Sequence, residues 1–191
     1  MIKILEKPII IVLIALALLS IYFGAYSPYM RSRKFIEGLR SKSTIKSLEE
    51  FKYNFDKSFK YYSPIGDEEM AKFLGSDIFQ IVSRPDNPKE VSRYLIDYIE
   101  PYMIKNNIRH LMILGQMYFT MWQKYGEEGD FIKAEDYFKK AYVIGPKLPP
   151  VLYGLLNFYQ ARRDEQKVKE IAKLIFQYWP EDERVAKFLN H

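Results

Sequence analysis

The feature that most constrains this chain is an uncharged apolar segment close to its N-terminus. Residues 8–26 have the sequence PIIIVLIALALLSIYFGAY, 19 residues without Asp, Glu, Lys or Arg. A helix of that length rises about 1.5 Å per residue and extends roughly 28 Å, close to the hydrocarbon thickness of a bilayer. A run this long is unusual in a small soluble core. We therefore expect residues 1–27 to form an N-terminal tail and a transmembrane helix.

A cleaved signal peptide is the main alternative to a retained anchor. Signal peptidase prefers small side chains one and three residues before the cleaved bond. Cleavage after Ala25 would place Phe23 at the outer of these positions, and cleavage after Gly24 would place Tyr22 there. Both are large, and the chain has no cysteine for a lipoprotein site. The pattern therefore favours an uncleaved, single-pass anchor.

The positive charge of the chain is concentrated beside this segment. Of the net charge of +5, residues 1–60 contribute 11 Lys/Arg against 5 Asp/Glu, whereas residues 61–191 have 18 against 19. We expect residues 8–26 to contact the lipid bilayer, and Arg31, Arg33 and Lys34 to contact its anionic headgroups. The nearly neutral remainder offers no basic face, so we expect no nucleic-acid partner.

Beyond residue 27, apolar residues recur every three or four positions, the spacing of helices that bury one face. We expect one helix to open at Asp67 and another to be capped by Asn87; further helices are predicted at 29–39, 44–62, 108–126, 130–144, 150–162, 164–178 and 182–190. No stretch alternates with the period of a strand. The prediction is an all-α fold, with an irregular helical segment at 28–106 and helical hairpins with a C-terminal capping helix at 107–191.

An internal repeat organises the C-terminal part of the chain. Pro146 and Pro180 lie 34 residues apart, and the residues before them correspond in type. In the first unit the packing residues are Leu114, Gly115, Tyr118, Gly129, Ala134, Phe138 and Ala141; in the second they are Leu155, Tyr159, Val168, Ala172 and Ile175. The second unit has Leu156 in place of Gly115 and Arg163 in place of the turn glycine Gly129. The first unit has seven additional residues, about two helical turns.

These residues resemble the tetratricopeptide repeat, a family of helical hairpins that stack into an α-solenoid. The resemblance implies that Ala134 and Ala141 let paired helices approach closely and that Phe138 fills the space between layers. It also implies a concave face, lined by the first helix of each hairpin, that binds a protein or peptide partner. The residues available to that partner would be Arg109, Gln116, Tyr153, Asn157 and Gln160. A solvated face without a partner is the alternative.

The order of segments is similar, more widely, to the C-terminal portion of O-antigen ligase-like membrane proteins. The apolar segment, the sequence FKYYSP at 59–64, the sequence LGQMY at 114–118 and the repeat occur in that order. The resemblance implies an extracytoplasmic domain, whereas the basic residues after the apolar segment favour a cytoplasmic one. The side of the membrane therefore stays open. The multi-span catalytic part of that family has no counterpart in these residues, so no catalytic residue is carried over.

The sequence offers no constellation for catalysis, a cofactor or a metal. Its two histidines, His110 and His191, lack metal-ligand spacing, and His110 is expected to be a satisfied structural residue. The acidic runs at 67–69 and 181–183 begin helices, where the helix dipole favours negative charge. We therefore predict a non-enzymatic, membrane-anchored scaffold or adaptor for a protein partner. The alternative is an accessory or detached portion of an O-antigen ligase- or polymerase-like envelope polysaccharide system.

Overall fold

A computed structural model describes residues 2–189, with the side chains of residues 7–189, and contains no strand in that range. Its helices are α1 (Ile2–Ile21), α2 (Ser27–Ser41), α3 (Leu48–Phe59), α4 (Asp67–Val82), α5 (Lys89–Ile99), α6 (Ile108–Tyr125), α7 (Glu128–Ile144), α8 (Pro149–Arg162), α9 (Glu165–Tyr178) and α10 (Glu183–Ala186). The all-α prediction is confirmed. The chain divides into two compact units between Met70 and Ala71, a boundary within the segment predicted at 28–106.

The N-terminal unit begins with one long helix. A π-helical segment, Tyr22–Tyr26, joins α1 to α2, so that the helix is continuous over Lys7–Thr44, 38 residues. The large apolar side chains between Ile9 and Ile21 are 51–67% exposed. By length and composition this helix is apolar enough to cross a membrane, although a signal sequence passes the same test.

Helices α2 and α3 of the same unit pack through aromatic rings. The ring of Phe35 lies 6.0 Å from that of Phe55 and 6.3 Å from that of Phe59, measured between centroids. A Cβ on Gly38 would lie 3.3 Å from the Phe55 ring, so glycine allows this close approach. Helix α3 begins at Leu48 rather than at residue 44 because the Ser47 side chain accepts a hydrogen bond from the Glu50 amide and caps it.

One basic residue predicted to face lipid headgroups is instead buried. The Arg31 side chain is 4% exposed; its Nε donates to the Ser58 carbonyl at 3.2 Å, and its guanidinium pairs with the Asp67 carboxylate. Burying a guanidinium is costly unless it is paired, which is why these acceptors surround it. The expectation for Arg31 is therefore wrong, whereas the Arg33 side chain is exposed.

In the second unit, α6–α7 and α8–α9 form two antiparallel hairpins. The first turn contains Gly126, with φ 72°, and the second contains Arg163, with φ 61°. Gly126 supplies the left-handed conformation that glycine adopts without a Cβ penalty. Gly129, predicted as the turn residue, lies in the first turn of α7 instead, where a Cβ would meet nothing within 4 Å. That prediction is wrong.

The two hairpins share one core, in which α6 and α8 run parallel. Within the first hairpin, a Cβ on Gly115 would lie 3.0 Å from the Phe138 ring. Between hairpins, Phe158 lies 5.3 Å from Phe119 and 5.4 Å from Phe138. The predicted packing residues are buried, apart from Gly129 and the prolines that follow α7 and α9. The buried ones are Leu114, Gly115, Tyr118, Ala134, Phe138, Ala141, Leu155, Tyr159, Val168, Ala172 and Ile175.

The seven additional residues of the first hairpin add about one turn to each helix. Helix α6 has 18 residues against 14 in α8, and α7 has 17 against 14 in α9. The added turns bind the connection between α4 and α5. Lys124 Nζ donates to the Val82 carbonyl at 2.9 Å, and the Tyr125 hydroxyl donates to the Asn87 carbonyl at 3.0 Å.

Two predicted helix ends differ from the structure. Helix α5 begins at Lys89 with Pro88 at its N-cap, and the Asn87 side chain donates to the Ser92 hydroxyl at 2.7 Å. Asn87 is therefore not the cap. The capping helix predicted at 182–190 is the short α10, and residues 190 and 191 lie outside the described range.

Candidate interaction face

The residues predicted to meet a partner lie on the two parallel helices α6 and α8. Arg109, Asn157 and Gln160 are exposed, whereas Gln116 and Tyr153 are half-buried. Met112 and Phe119 lie at helical spacing from Arg109 and Gln116 on α6, but they pack against α8. A Cβ on Gly154 would lie 2.7 Å from the Met112 methyl group. The available polar surface is therefore mainly that of α8.

Tyr153 joins α8 to the C-terminal segment. Its hydroxyl donates to the Asp182 carboxylate, and the Arg184 guanidinium lies 4.5 Å from its ring centroid. Asp182 also caps α10 by accepting from the Arg184 amide at 3.1 Å. The hydrogen bond from the Arg184 side chain lowers the pKa of the Asp182 carboxyl, with partial burial opposing. Asp182 is therefore ionised at neutral pH.

An acidic hollow surrounds Tyr153, with a volume of about 550 Å³. Three carboxylates and one guanidinium contribute to its wall, together with the indole of Trp179; the lining residues are Pro149, Tyr153, Trp179, Glu181, Asp182, Glu183 and Arg184. An aromatic floor beside excess negative charge suits a cationic or amphipathic side chain. The sequence offered only the acidic run at 181–183 as a signal for this hollow.

A basic hollow of about 420 Å³ lies at the other end of α8. It contains Gln160 and has three cationic side chains against one carboxylate, with two apolar residues; its lining is Gln160, Arg163, Glu165, Val168, Lys169, Lys187 and Phe188. Tyr153 and Gln160 are seven residues apart, or about 10 Å along a helix. Asn157 is exposed between them, while Arg109 and Gln116 line neither hollow.

A polar triad of one tyrosine, one glutamate and one lysine contacts each hairpin; the tyrosine is buried, whereas the lysine is about half exposed. In the first, the Tyr118 hydroxyl donates to the Glu100 carboxylate at 2.5 Å, and Lys133 Nζ lies 4.6 Å from the Tyr118 ring centroid. In the second, the Tyr159 hydroxyl donates to Glu135 at 3.1 Å, and Lys167 Nζ lies 4.6 Å from the Tyr159 ring centroid. The lysines are 34 residues apart, as are the two prolines. In each triad the carboxylate comes from the element before the hairpin's first helix, so it connects successive layers.

The electrostatics of these triads favour a structural role. Burial opposes ionisation of Glu100, but hydrogen bonds from Tyr118 and Tyr137 lower the pKa of its carboxyl below the usual range. Burial and the nearby carboxylates raise the pKa of the Tyr118 and Tyr159 hydroxyls well above 10. The phenols are thus held neutral and Glu100 is held ionised, in an arrangement that binds the helices together.

His110 is buried, and its Nδ1 accepts a hydrogen bond from the Ile104 amide at 2.8 Å. Its predicted role as a satisfied structural histidine is confirmed. Over the described part of the chain, no group of three His, Asp or Glu residues is placed to hold a metal ion.

Comparison of the chain with protein-family models, with curated proteins and with solved structures gives no match.

Proposed function

We propose that this chain is a membrane-anchored, non-catalytic scaffold of the tetratricopeptide type, which binds a protein or peptide segment along α8 and the C-terminal segment. The observation that carries the proposal is the repetition of contacts between hairpins. Tyr118 and Tyr159 make the same triad, and α6 and α8 run side by side as first helices do in that family. Stacked hairpins of this kind leave their first helices available to a partner.

The apolar helix supports the anchoring part of the proposal. Its large apolar side chains are solvent-exposed along the whole segment, which is unfavourable in water and favourable in lipid. It continues into α2 without an irregular linker. An anchor of this kind would hold the hairpins close to the bilayer and raise the local concentration of a membrane-bound partner.

The two hollows indicate the chemistry of the bound segment. An extended chain rises about 3.3 Å per residue, so residues about three apart would span the roughly 10 Å between Tyr153 and Gln160. A lysine or arginine would suit the acidic hollow at Trp179, and an acidic residue with an apolar neighbour would suit the basic hollow at Phe188. We propose a partner segment with this order of charges.

Photo-crosslinking in cells tests the binding face. A photo-reactive amino acid at Asn157, between the hollows, should yield an adduct of one discrete mass. The same residue at Ile132, exposed on α7, is the matched control and should not yield it. Glu181→Lys with Glu183→Lys should abolish the Asn157 adduct. Equal adducts from both positions, or none from Asn157, would show that α8 is a solvated face.

Alkaline extraction tests the anchor separately. The full chain should stay with the membrane pellet at high pH. Ile14→Arg with Leu16→Arg should release it, because each buried arginine costs about 2.5–3.5 kcal/mol at the centre of a transmembrane helix. Release of the unaltered chain would contradict the anchor and leave the crosslinking result unaffected.

A further inference from the structure

The connection between α3 and α4, residues 60–66, lies against the end of the apolar helix. The Tyr62 ring packs edge-on against Phe23, with centroids 6.1 Å apart. The Ser27 hydroxyl donates to the Tyr62 carbonyl at 2.6 Å. Phe23 belongs to the uncharged run 8–26. The connection is therefore at the level of the last turn of that run.

The outer surface of this connection is apolar and aromatic. Tyr62 is 71% exposed and Ile65 is 62% exposed. Tyr26 and Tyr29, at the end of the long helix, are exposed as well. Rings that combine an apolar body with a polar tip favour the boundary between hydrocarbon and headgroups. Lys34 Nζ lies 5.5 Å from the Tyr61 ring centroid, which places a cation beside these rings.

Arg31 fixes the connection in this position. Its guanidinium donates to the Ser58 and Phe59 carbonyls at the end of α3 and to the Ile65 carbonyl, and it pairs with Asp67. These acceptors lie on both sides of residues 60–64. The arginine therefore holds both ends of the connection against α2. The exposed ring of Tyr62 is already in place, so contact with a membrane would need no further rearrangement of the connection.

We infer that residues 60–66 form a second membrane contact, in which Tyr62 and Ile65 lie in the interfacial layer of the leaflet where the anchor ends. The inference rests on the proposed anchoring of residues 8–26. A single helix can rotate about its axis and tilt in the bilayer, whereas two contacts at one interface fix both motions. The α2–α3 hairpin would then have one defined orientation relative to the lipid surface.

Depth-dependent fluorescence quenching tests this contact. The chain has no cysteine, so single variants Tyr62→Cys, Ile65→Cys, Lys46→Cys and Leu16→Cys can each carry one environment-sensitive dye. The full chain is reconstituted in vesicles of phosphatidylcholine and phosphatidylglycerol that contain lipids spin-labelled near the headgroup or deep in the acyl chain. Leu16 reports the anchor, and the exposed Lys46, in the connection between α2 and α3, is the aqueous control.

We expect the shallow quencher to reduce the signal at positions 62 and 65 at least about twofold more than at position 46, as for interfacial residues. The deep quencher should act most strongly at position 16. Quenching at 16 without quenching at 62 and 65 would overturn the interfacial contact and leave the anchor standing. A blue-shifted but unquenched dye at 62 would mean that protein covers the connection, which also overturns it. No quenching at 16 would contradict the anchor itself.

Discussion

The two hairpins of the second unit have the same architecture but differ in length and in which packing positions hold large side chains. The α6–α7 hairpin has one additional turn on each helix, and the α8–α9 hairpin has the shorter form. The longer helices reach the connection between α4 and α5 through Lys124 and Tyr125, and they reach α5 itself through Asp130, which pairs with Arg93. The insertion thus lengthens the hairpin and keeps the register of its apolar positions. The added turns contact the preceding helices.

The packing positions show a second difference. In the first hairpin a small residue, Gly115, faces a large one, Phe138. At the equivalent positions of the second hairpin the sizes are exchanged, since Leu156 replaces the glycine and Ala172 replaces the phenylalanine, and both are buried. A repeat that looks degenerate by residue identity can therefore conserve the combination of one large and one small side chain. Cores tolerate such exchanges when volume is kept.

The largest effect should come from Phe138→Ala. This substitution gives the first hairpin the small residue that the second hairpin has at the equivalent position, Ala172. The first hairpin lacks the leucine, Leu156, that compensates for the small residue in the second. Phe138 is buried against Phe119 and Phe158, so the substitution leaves a cavity. We expect the free energy of unfolding to fall by about 3–5 kcal/mol, measured by chemical denaturation.

The compensating change provides the control for this experiment. Gly115→Leu alone should destabilise by overpacking, by about 1–3 kcal/mol. The double variant with Phe138→Ala should lose less free energy of unfolding than the two single variants lose in total, because the two residues are in contact. Strict additivity would contradict the exchange of bulk between the hairpins.

The next largest effect should come from the added turn. The buried Asp130 carboxylate accepts two hydrogen bonds from Arg93, each 2.7 Å long, and its side chain is 4% exposed. Asp130→Ala should lower the free energy of unfolding by about 1.5–3 kcal/mol, the range for hydrogen bonds to charged groups. Differential scanning calorimetry of the full chain in detergent measures the loss.

Glu128→Ala is a matched control for Asp130→Ala. Both acids belong to the first turn of α7, so their interaction with the helix dipole is similar. Glu128 pairs with Arg162 at the surface, where the side chains are 55% and 43% exposed. We expect a loss of at most about 1 kcal/mol. Equal losses from the two variants would show that the added turn contributes only through its dipole.

Substitution of two glycines, Gly115 and Gly154, distinguishes the effect of close packing on stability from the effect of helix propensity. A Cβ at Gly115 meets the Phe138 ring, which buried neighbours hold in place, whereas a Cβ at Gly154 meets the flexible end of Met112. Gly154→Ala should stabilise by up to about 1 kcal/mol through helix propensity. Gly115→Ala gains the same propensity but should still destabilise, by about 0.5–2 kcal/mol, because overpacking outweighs it. Thermal unfolding of both variants decides this, and stabilisation by Gly115→Ala would refute the close approach.

Much of the fold follows from local sequence patterns. Apolar spacing located most helices to within a few residues, because each helix of the second unit buries one stripe. The turn of the first hairpin was misplaced because Gly126 and Gly129 lie three residues apart, and composition does not show which has positive φ. The seven-residue insertion fitted the apolar period, but its division between α6 and α7 depends on where that turn falls.

The sites were less predictable, since they depend on residues distant in sequence. Arg31 was grouped with its basic neighbours, and only the return of α3 and α4 towards α2 supplies the carbonyls and the carboxylate that bury it. Tyr153 was predicted to face a partner from its position on α8, and that role stays a prediction. Asp182 and Arg184, which bind its hydroxyl and ring, are about 30 residues away and follow α9. Periodicity identifies exposed positions on one helix but not what lies beside them.

The smallest predicted effects concern the pH dependence and the salt dependence of the two triads. Glu100 and Glu135 both have a carboxyl pKa below the usual 4.5, because hydrogen bonds to the ionised form outweigh burial. A depressed pKa in the folded state stabilises the fold above the usual value, and this stability is lost as pH falls through the folded-state pKa. Glu100→Gln and Glu135→Gln should each remove about 0.5–1.5 kcal/mol at pH 7 and flatten the acid limb of the stability curve.

Salt should affect the two triads differently. Glu135 accepts from Lys167 and pairs with Lys139, both at 3.0 Å, whereas Glu100 accepts chiefly from the tyrosine hydroxyls, and its lysines lie 3.8 Å away. Ion pairs near the surface are screened by salt more than hydrogen bonds from neutral donors. The loss caused by Glu135→Gln should therefore shrink between low and high salt, while that of Glu100→Gln persists. Urea titrations at several pH values and two salt concentrations measure both effects, and equal salt dependence would mean that the lysines dominate both triads.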